Sequence, residues 1–237
     1  MWNGFRKEEF EFEERMCTIV YPETQSNGKM LYKTEYLSAF PTFDIEMLKK
    51  GYHLIHLKNT SRWVIEEDIH RMARFVKHCA EKLQLSKKCI LEGLSLGGLQ
   101  ATLFAQLYPD LTDVLYIDAP VLNIISMAGC GACKLIPLHW KEIVEAYNVN
   151  ESTIVNFRKS PIDNMPPLIE NNIPVVMLYG DKDDVGIYEE NGKVLSDYYN
   201  ENGGNIKLIK KEGCGHHPHG LENATPIIEF IERNFKP

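Results

Sequence analysis

Three groups of residues in this chain have the types and the order that nucleophilic acyl chemistry needs. The first is Gly93-Leu94-Ser95-Leu96-Gly97, a G-x-S-x-G pentapeptide. The second is Asp181-Lys182-Asp183-Asp184, and the third is His216-His217-Pro218-His219. A serine hydroxyl is a poor nucleophile until a neutral imidazole takes its proton. The imidazole in turn needs a carboxylate to fix its tautomer and balance its charge. Serine, then acid, then histidine is one of the chain orders in which this arrangement occurs. The residue types leave open which aspartate and which histidine take part.

The elements around the pentapeptide give it meaning. A short apolar run (Cys89, Ile90, Leu91) leads into it, and Leu99, Leu103 and Leu107 follow at helical spacing. With no room for a loop between strand and helix, the serine must occupy a sharp turn. Glycines two residues to either side remove Cβ atoms that would collide across that turn. The Leu96 N–H and the helix N-terminus then face any negative charge developing beside the serine. A glycine-rich turn with an incidental serine is the competing reading, and the strand-turn-helix context argues against it.

The rest of the chain supplies the frame. Phe10 and Phe12, then Cys17, Ile19 and Tyr21, alternate as in two antiparallel strands. Further strands are expected at 30–34, 52–58, 114–118, 175–179 and 206–210. Helices are expected from Phe43 to Lys50, from Glu66 to Leu83 (Ile69, Met72, Val76, Cys79, Leu83), through Val194 to Tyr198, and after Thr225-Pro226. Strands and helices alternate after an antiparallel start, which predicts an α/β fold with a mostly parallel, doubly wound sheet of eight strands in one domain, 1–237. Residues 119–173 are too long for an ordinary connection and are expected to form a small insertion, a lid or pocket wall, after strand six.

Composition narrows the function classes. Apolar residues make up 44% and charged residues 25%, as in an ordinary globular domain, and the net charge is −7. That balance disfavours nucleic acid and anionic membrane as partners. A charged N-terminus without a signal peptide's apolar stretch gives cytoplasmic as the expected location. Six scattered cysteines read as buried free thiols. Cys130-Gly-Ala-Cys133 has the spacing of half a zinc site or a redox pair, but it lacks a second ligand pair and does not open a helix after a strand. The three histidines could offer imidazoles to a metal; one base with structural neighbours is the simpler account. No metal and no cofactor are expected.

On the stretches LEGLSLGGL, SPIDN, YGDKDD and GCGHHPHGLE, the sequence resembles the α/β-hydrolase superfamily along nearly its whole length. It looks most like the bacterial branch near prolyl-oligopeptidase-type hydrolases and carbohydrate esterases. The resemblance implies Asp183 as the acid, with Asp181 and Asp184 capping the loop or solvated, and His216 as the base, with His217 as its rival. It places the second oxyanion donor in the loop after strand three, at Tyr36 or failing that Glu35. That loop lacks the His-Gly of many relatives, and Val185-Gly186 stands where many carry Val-Pro. Arg62, Trp63, Trp140 and Glu189 are candidates for the pocket lining. The implied function is cleavage of a small-molecule carboxylic ester through an acyl-enzyme, with an acyl group on a carbohydrate as a narrower form. A peptidase of the prolyl-oligopeptidase type and a non-catalytic binding protein on the same fold are the alternatives.

Overall fold

The computed structural model describes residues 1–235. Eight strands form one sheet: β1 (Lys7–Phe12), β2 (Arg15–Val20), β3 (Met30–Lys33), β4 (His53–Leu57), β5 (Cys89–Leu94), β6 (Thr112–Asp118), β7 (Val175–Gly180) and β8 (Ile206–Lys211). Their spatial order is β1-β2-β4-β3-β5-β6-β7-β8. β1 and β2 pair antiparallel, as do β2 and β4, and every later pairing is parallel. The central strands β5 and β6 are buried along their whole length, which is why they read as apolar runs. The edge strand β8 instead carries Lys207 and Lys210, charges that discourage pairing with another sheet.

Helices cover both faces. On one side α1 (Thr42–Lys49) and α7 (Thr225–Asn234) bury Phe43, Met47, Ile227 and Ile231 against Leu31, Leu54 and Tyr116. On the other, α2 (Glu66–Leu83), α3 (Leu96–Leu107) and α6 (Gly192–Glu201) bury Met72, Val76, Leu99, Phe104 and Leu195. The 3-4-3-4 spacing in α2 predicts its buried face; Ile69, Met72, Val76 and Cys79 are all inside, and Leu83 is partly so. The last helix begins one residue earlier than its sequence suggests: Ala224 is the cap, and Thr225 already lies in the helix.

The 119–174 connection contains a helical turn (Ser126–Cys130), α4 (Pro137–Tyr147), short turns at Ile154–Asn156 and Pro161–Asp163, and α5 (Pro166–Glu170). Its start is knitted to the segment after β7. Asn191 Oδ1 accepts the N–H groups of Leu122 and Asn123 at 2.8 and 2.9 Å. The Glu190 carboxylate accepts the Ser126 hydroxyl and, at 2.6 Å, the Ala132 N–H.

One buried cluster beneath the sheet's upper edge was not legible in the apolar pattern. Lys33 Nζ lies 2.6 Å from Asp44 Oδ2, 3.1 Å from Glu92 Oε1 and 2.9 Å from the Ala39 carbonyl, and all three side chains are buried. Burial, together with the facing Asp44 carboxylate, pushes the Glu92 carboxyl well above its ordinary range. The two carboxyls nevertheless keep Lys33 charged: burial pulls its pKa down, and Glu92 and Asp44 outweigh that. Lys33→Met removes the cluster's cation and leaves its two buried carboxyl groups without a partner cation. A cost of about 3–5 kcal/mol is expected, read as a lower urea midpoint. Much of it should return in the triple variant Lys33→Met, Asp44→Asn, Glu92→Gln.

Candidate active site

Ser95 sits between β5 and α3 with φ 54° and ψ −116°, a backbone conformation that L-residues rarely adopt. The neighbours that force this are close. A Cβ on Gly93 would lie 2.7 Å from the Gly98 Cα, and one on Gly98 would lie 2.5 Å from the Pro120 Cβ. The turn is pinned by backbone bonds: Ser95 N–H donates to the Asp118 carbonyl (3.0 Å), while the Ser95 carbonyl accepts from Gly98 (2.9 Å) and Val121 (3.0 Å). The Thr34 hydroxyl adds a link from β3, 2.8 Å from the Gly97 carbonyl.

Ser95, His216 and Asp183 come together from three strand ends. Ser95 Oγ is 2.9 Å from His216 Nε2, and His216 Nδ1 is 2.8 Å from Asp183 Oδ2. The second carboxylate oxygen of Asp183 accepts the N–H groups of Val185 (2.8 Å) and Gly186 (2.9 Å). Burial pushes the Asp183 carboxyl up, but His216 and these two donors hold it below its usual value, so it is ionised. An ionised Oδ2 facing Nδ1 fixes the tautomer with the proton on Nδ1, which leaves Nε2 free to accept the serine proton. Asp181 caps the neighbouring loop by accepting the Gly213 N–H at 2.7 Å, and Asp184 is exposed.

His216 is carried by a loop that the sequence gives no obvious means of holding. Lys211 Nζ donates to both oxygens of buried Asp118 at 2.8 Å and to the Pro218 carbonyl at 2.9 Å. The Gly220 N–H closes on Asp118 Oδ2 at 2.5 Å. Asp118 ends β6 and Lys211 ends β8, so one buried ion pair spans the sheet and fixes the histidine loop over it. Phe40 fills the space beside the loop, stacked with His217 (16°, 5.7 Å) and edge-on to His219 (85°, 5.2 Å).

A cavity of about 360 Å³ opens at Ser95, lined by Leu96, Tyr36, Phe40, Arg62, Met127 and His139 among others. The Leu96 and Tyr36 N–H groups have no hydrogen-bond partner among the described residues. Glu35 is turned away from the cavity: its carboxylate accepts from Gln100 Nε2 at 2.7 Å. Tyr36 is held at φ 54°, and its phenol is raised in pKa, burial outweighing the nearby Arg62.

Three of the four expected lining residues lie elsewhere. Arg62 does face the cavity. Trp63 is fully buried, and its indole N–H donates to Glu142 Oε2 at 2.7 Å, the same oxygen that Arg62 Nη2 reaches at 2.7 Å. Trp140 packs against the apolar core, because the preceding residue of α4, His139, has the angle that meets the cavity. Glu189 is exposed; Glu190 turns inward instead. Glu142 is a residue that sequence reasoning passed over, and its only signal is an acid three residues after His139 on one helix face. The cysteines of the CGAC stretch do not form a paired site: Cys130 is exposed, and buried Cys133 donates to the Val185 carbonyl at 3.2 Å. All six cysteines are free.

A serine with an imidazole at 2.9 Å is equipped to attack electrophilic phosphorus. A fluorophosphonate is expected to modify Ser95, with no adduct in Ser95→Ala by intact-mass spectrometry. Asp183→Asn is expected to slow the modification by about 10⁴-fold through the wrong tautomer, whereas Asp181→Asn leaves the rate within a few-fold.

Neither the family models nor the curated proteins contain a match to this chain. Solved structures do. A Bacteroides ovatus protein described as a dipeptidyl aminopeptidase IV superposes with TM-score 0.73 at 14% identity, over 99% of this chain and 37% of its own. An acylaminoacyl peptidase from Pyrococcus horikoshii gives 0.74 at 14%, over 98% and 42%. A Staphylococcus aureus protein described as an esterase gives 0.72 at 17%, over 97% and 82%. The chain thus spans less than half the length of the first two proteins and most of the third. Among the described residues no helix is long and apolar enough to cross a membrane. At these identities the likeness concerns architecture: the chain has the α/β-hydrolase fold.

Proposed function

We infer that this protein is a serine hydrolase that cleaves a carboxylic ester through an acyl-enzyme. The observation that carries the reading is the unbroken chain Ser95 Oγ, His216 Nε2, His216 Nδ1, Asp183 Oδ2, with contacts of 2.9 and 2.8 Å. Ser95 attacks the carbonyl carbon as His216 takes its proton. The oxyanion collects the N–H groups of Leu96, at the start of α3, and Tyr36. The imidazolium, balanced by Asp183, then protonates the leaving alkoxide. Water reverses the sequence and frees the acid. The 119–173 insertion serves as pocket wall through Met127 and His139.

Esters are favoured over peptides with a free N-terminus by the charge of the cavity. Among the described residues its lining holds the cation Arg62 and no carboxylate, so an ammonium group finds no counter-ion on that lining. The rings of Tyr36 and Phe40 suit an acylated carbohydrate, the narrower form of the proposal. The peptidase alternative draws on the likeness to an acylaminoacyl peptidase and a dipeptidyl aminopeptidase IV.

A panel of p-nitrophenyl esters, acetylated sugars and aminoacyl-p-nitroanilides separates these readings. Ester turnover that disappears in Ser95→Ala, with kcat/KM for esters exceeding that for anilides, is the expected result. Faster cleavage of the anilides would move the assignment to a peptidase. A folded protein that turns over none of the panel and resists the fluorophosphonate would point to a binding role.

A further inference from the structure

Hydrolysis gives work to one histidine of the 216–219 loop and leaves two without any. The three rings form a compact group. Their centroids are 4.9 Å (His216–His217), 5.0 Å (His216–His219) and 4.8 Å (His217–His219) apart, each pair near perpendicular. One ring nitrogen from each lies within 4.8 Å of the other two. Carboxylates back two of the rings: Asp183 faces His216 Nδ1, and Asp118 Oδ2 is 3.7 Å from His219 Nδ1. His219 is buried, yet its Nδ1 has no hydrogen-bond partner among the described residues. A carboxylate behind Nδ1 is the arrangement that orients metal-bound imidazoles. His217 stands exposed opposite them.

We propose that His216, His217 and His219 form an inhibitory site for a borderline divalent transition ion such as Zn²⁺. Imidazole suits this class of ion. Zinc–nitrogen bonds of about 2.0–2.1 Å require the three nitrogens, which lie within 4.8 Å of one another, to close to roughly 3.4 Å, and His217 is the one ring of the three that is exposed. The ion takes the Nε2 lone pair of His216, the same pair that accepts the Ser95 proton. Metal and reaction therefore exclude one another, and no covalent bond changes. The inhibition, though not the binding, rests on the serine hydrolase reading.

Calorimetric titration of Zn²⁺ into Ser95→Ala protein tests the site without any need for activity. One ion per chain is expected. His217→Ala in that background should weaken it about tenfold or more, and Cys130→Ser should leave the affinity unchanged. In the wild-type protein, Zn²⁺ is expected to suppress fluorophosphonate labelling, and EDTA to restore it. The proposal is overturned by an absence of stoichiometric binding, by an affinity indifferent to His217, by a site lost with Cys130, or by bound metal that leaves labelling intact. A protein that never labels, with or without metal, contradicts the hydrolase reading instead, and the calorimetry still decides the site.

Discussion

The residue on which the site's geometry converges is Asp118. Its carbonyl receives the Ser95 N–H and so helps set the serine turn. Its carboxylate holds Lys211 and the Gly220 N–H, and Lys211 in turn grips the Pro218 carbonyl. Main chain and side chain of one residue at the end of β6 therefore connect the nucleophile's turn to a loop more than a hundred positions away. The two-donor carboxylate is screened from water, so the pairing is strong, and its loss would leave an uncompensated charge inside the sheet's upper edge. The 2.9 Å contact between Ser95 and His216 depends on that connection.

A second buried charge group, Lys33 with Asp44 and Glu92, works in the same region by different means. Lys33 and Glu92 are register partners on adjacent strands, and Glu92 lies three residues before the serine. The cluster sets one lysine against two buried carboxyl groups. Such groups contribute less to net stability than an apolar core of the same volume would. What they contribute is position: Lys33 Nζ also binds the Ala39 carbonyl, in the loop that carries Tyr36 and Phe40 to the cavity.

Much of this architecture was legible in the chain. Period-two alternation marked β1 and β2, apolar runs marked the buried parallel strands, and the 3-4-3-4 spacing marked α2. Glycines at 93 and 97 located the turn: a Cβ at 93 would run into the backbone of α3, and one at 97 would crowd Thr34 and Glu35 in the β3 loop. Single-residue choices at the cavity wall were not legible. Trp140 and His139 differ by one step of a helix, about 100° of rotation, and Glu189 and Glu190 by one step of a tight turn. Composition cannot say which of two adjacent residues faces inward when both are large or both acidic. Asp118 and Lys211 were hidden for another reason: each ends a strand that reads as ordinary, and only the sheet order brings the two strand ends close enough to pair.

The shared oxygen of Glu142 has a consequence for how the cavity responds to its contents. Arg62 and the Trp63 indole meet on that single atom, and α4, which carries Glu142, also carries His139 at the cavity wall. The Tyr147 hydroxyl, at the far end of the same helix, donates to the Trp63 carbonyl. The guanidinium is thus geared to the helix: an incoming anion that draws Arg62 toward itself must either break the resident pair or drag α4 with it. A neutral guest moves neither.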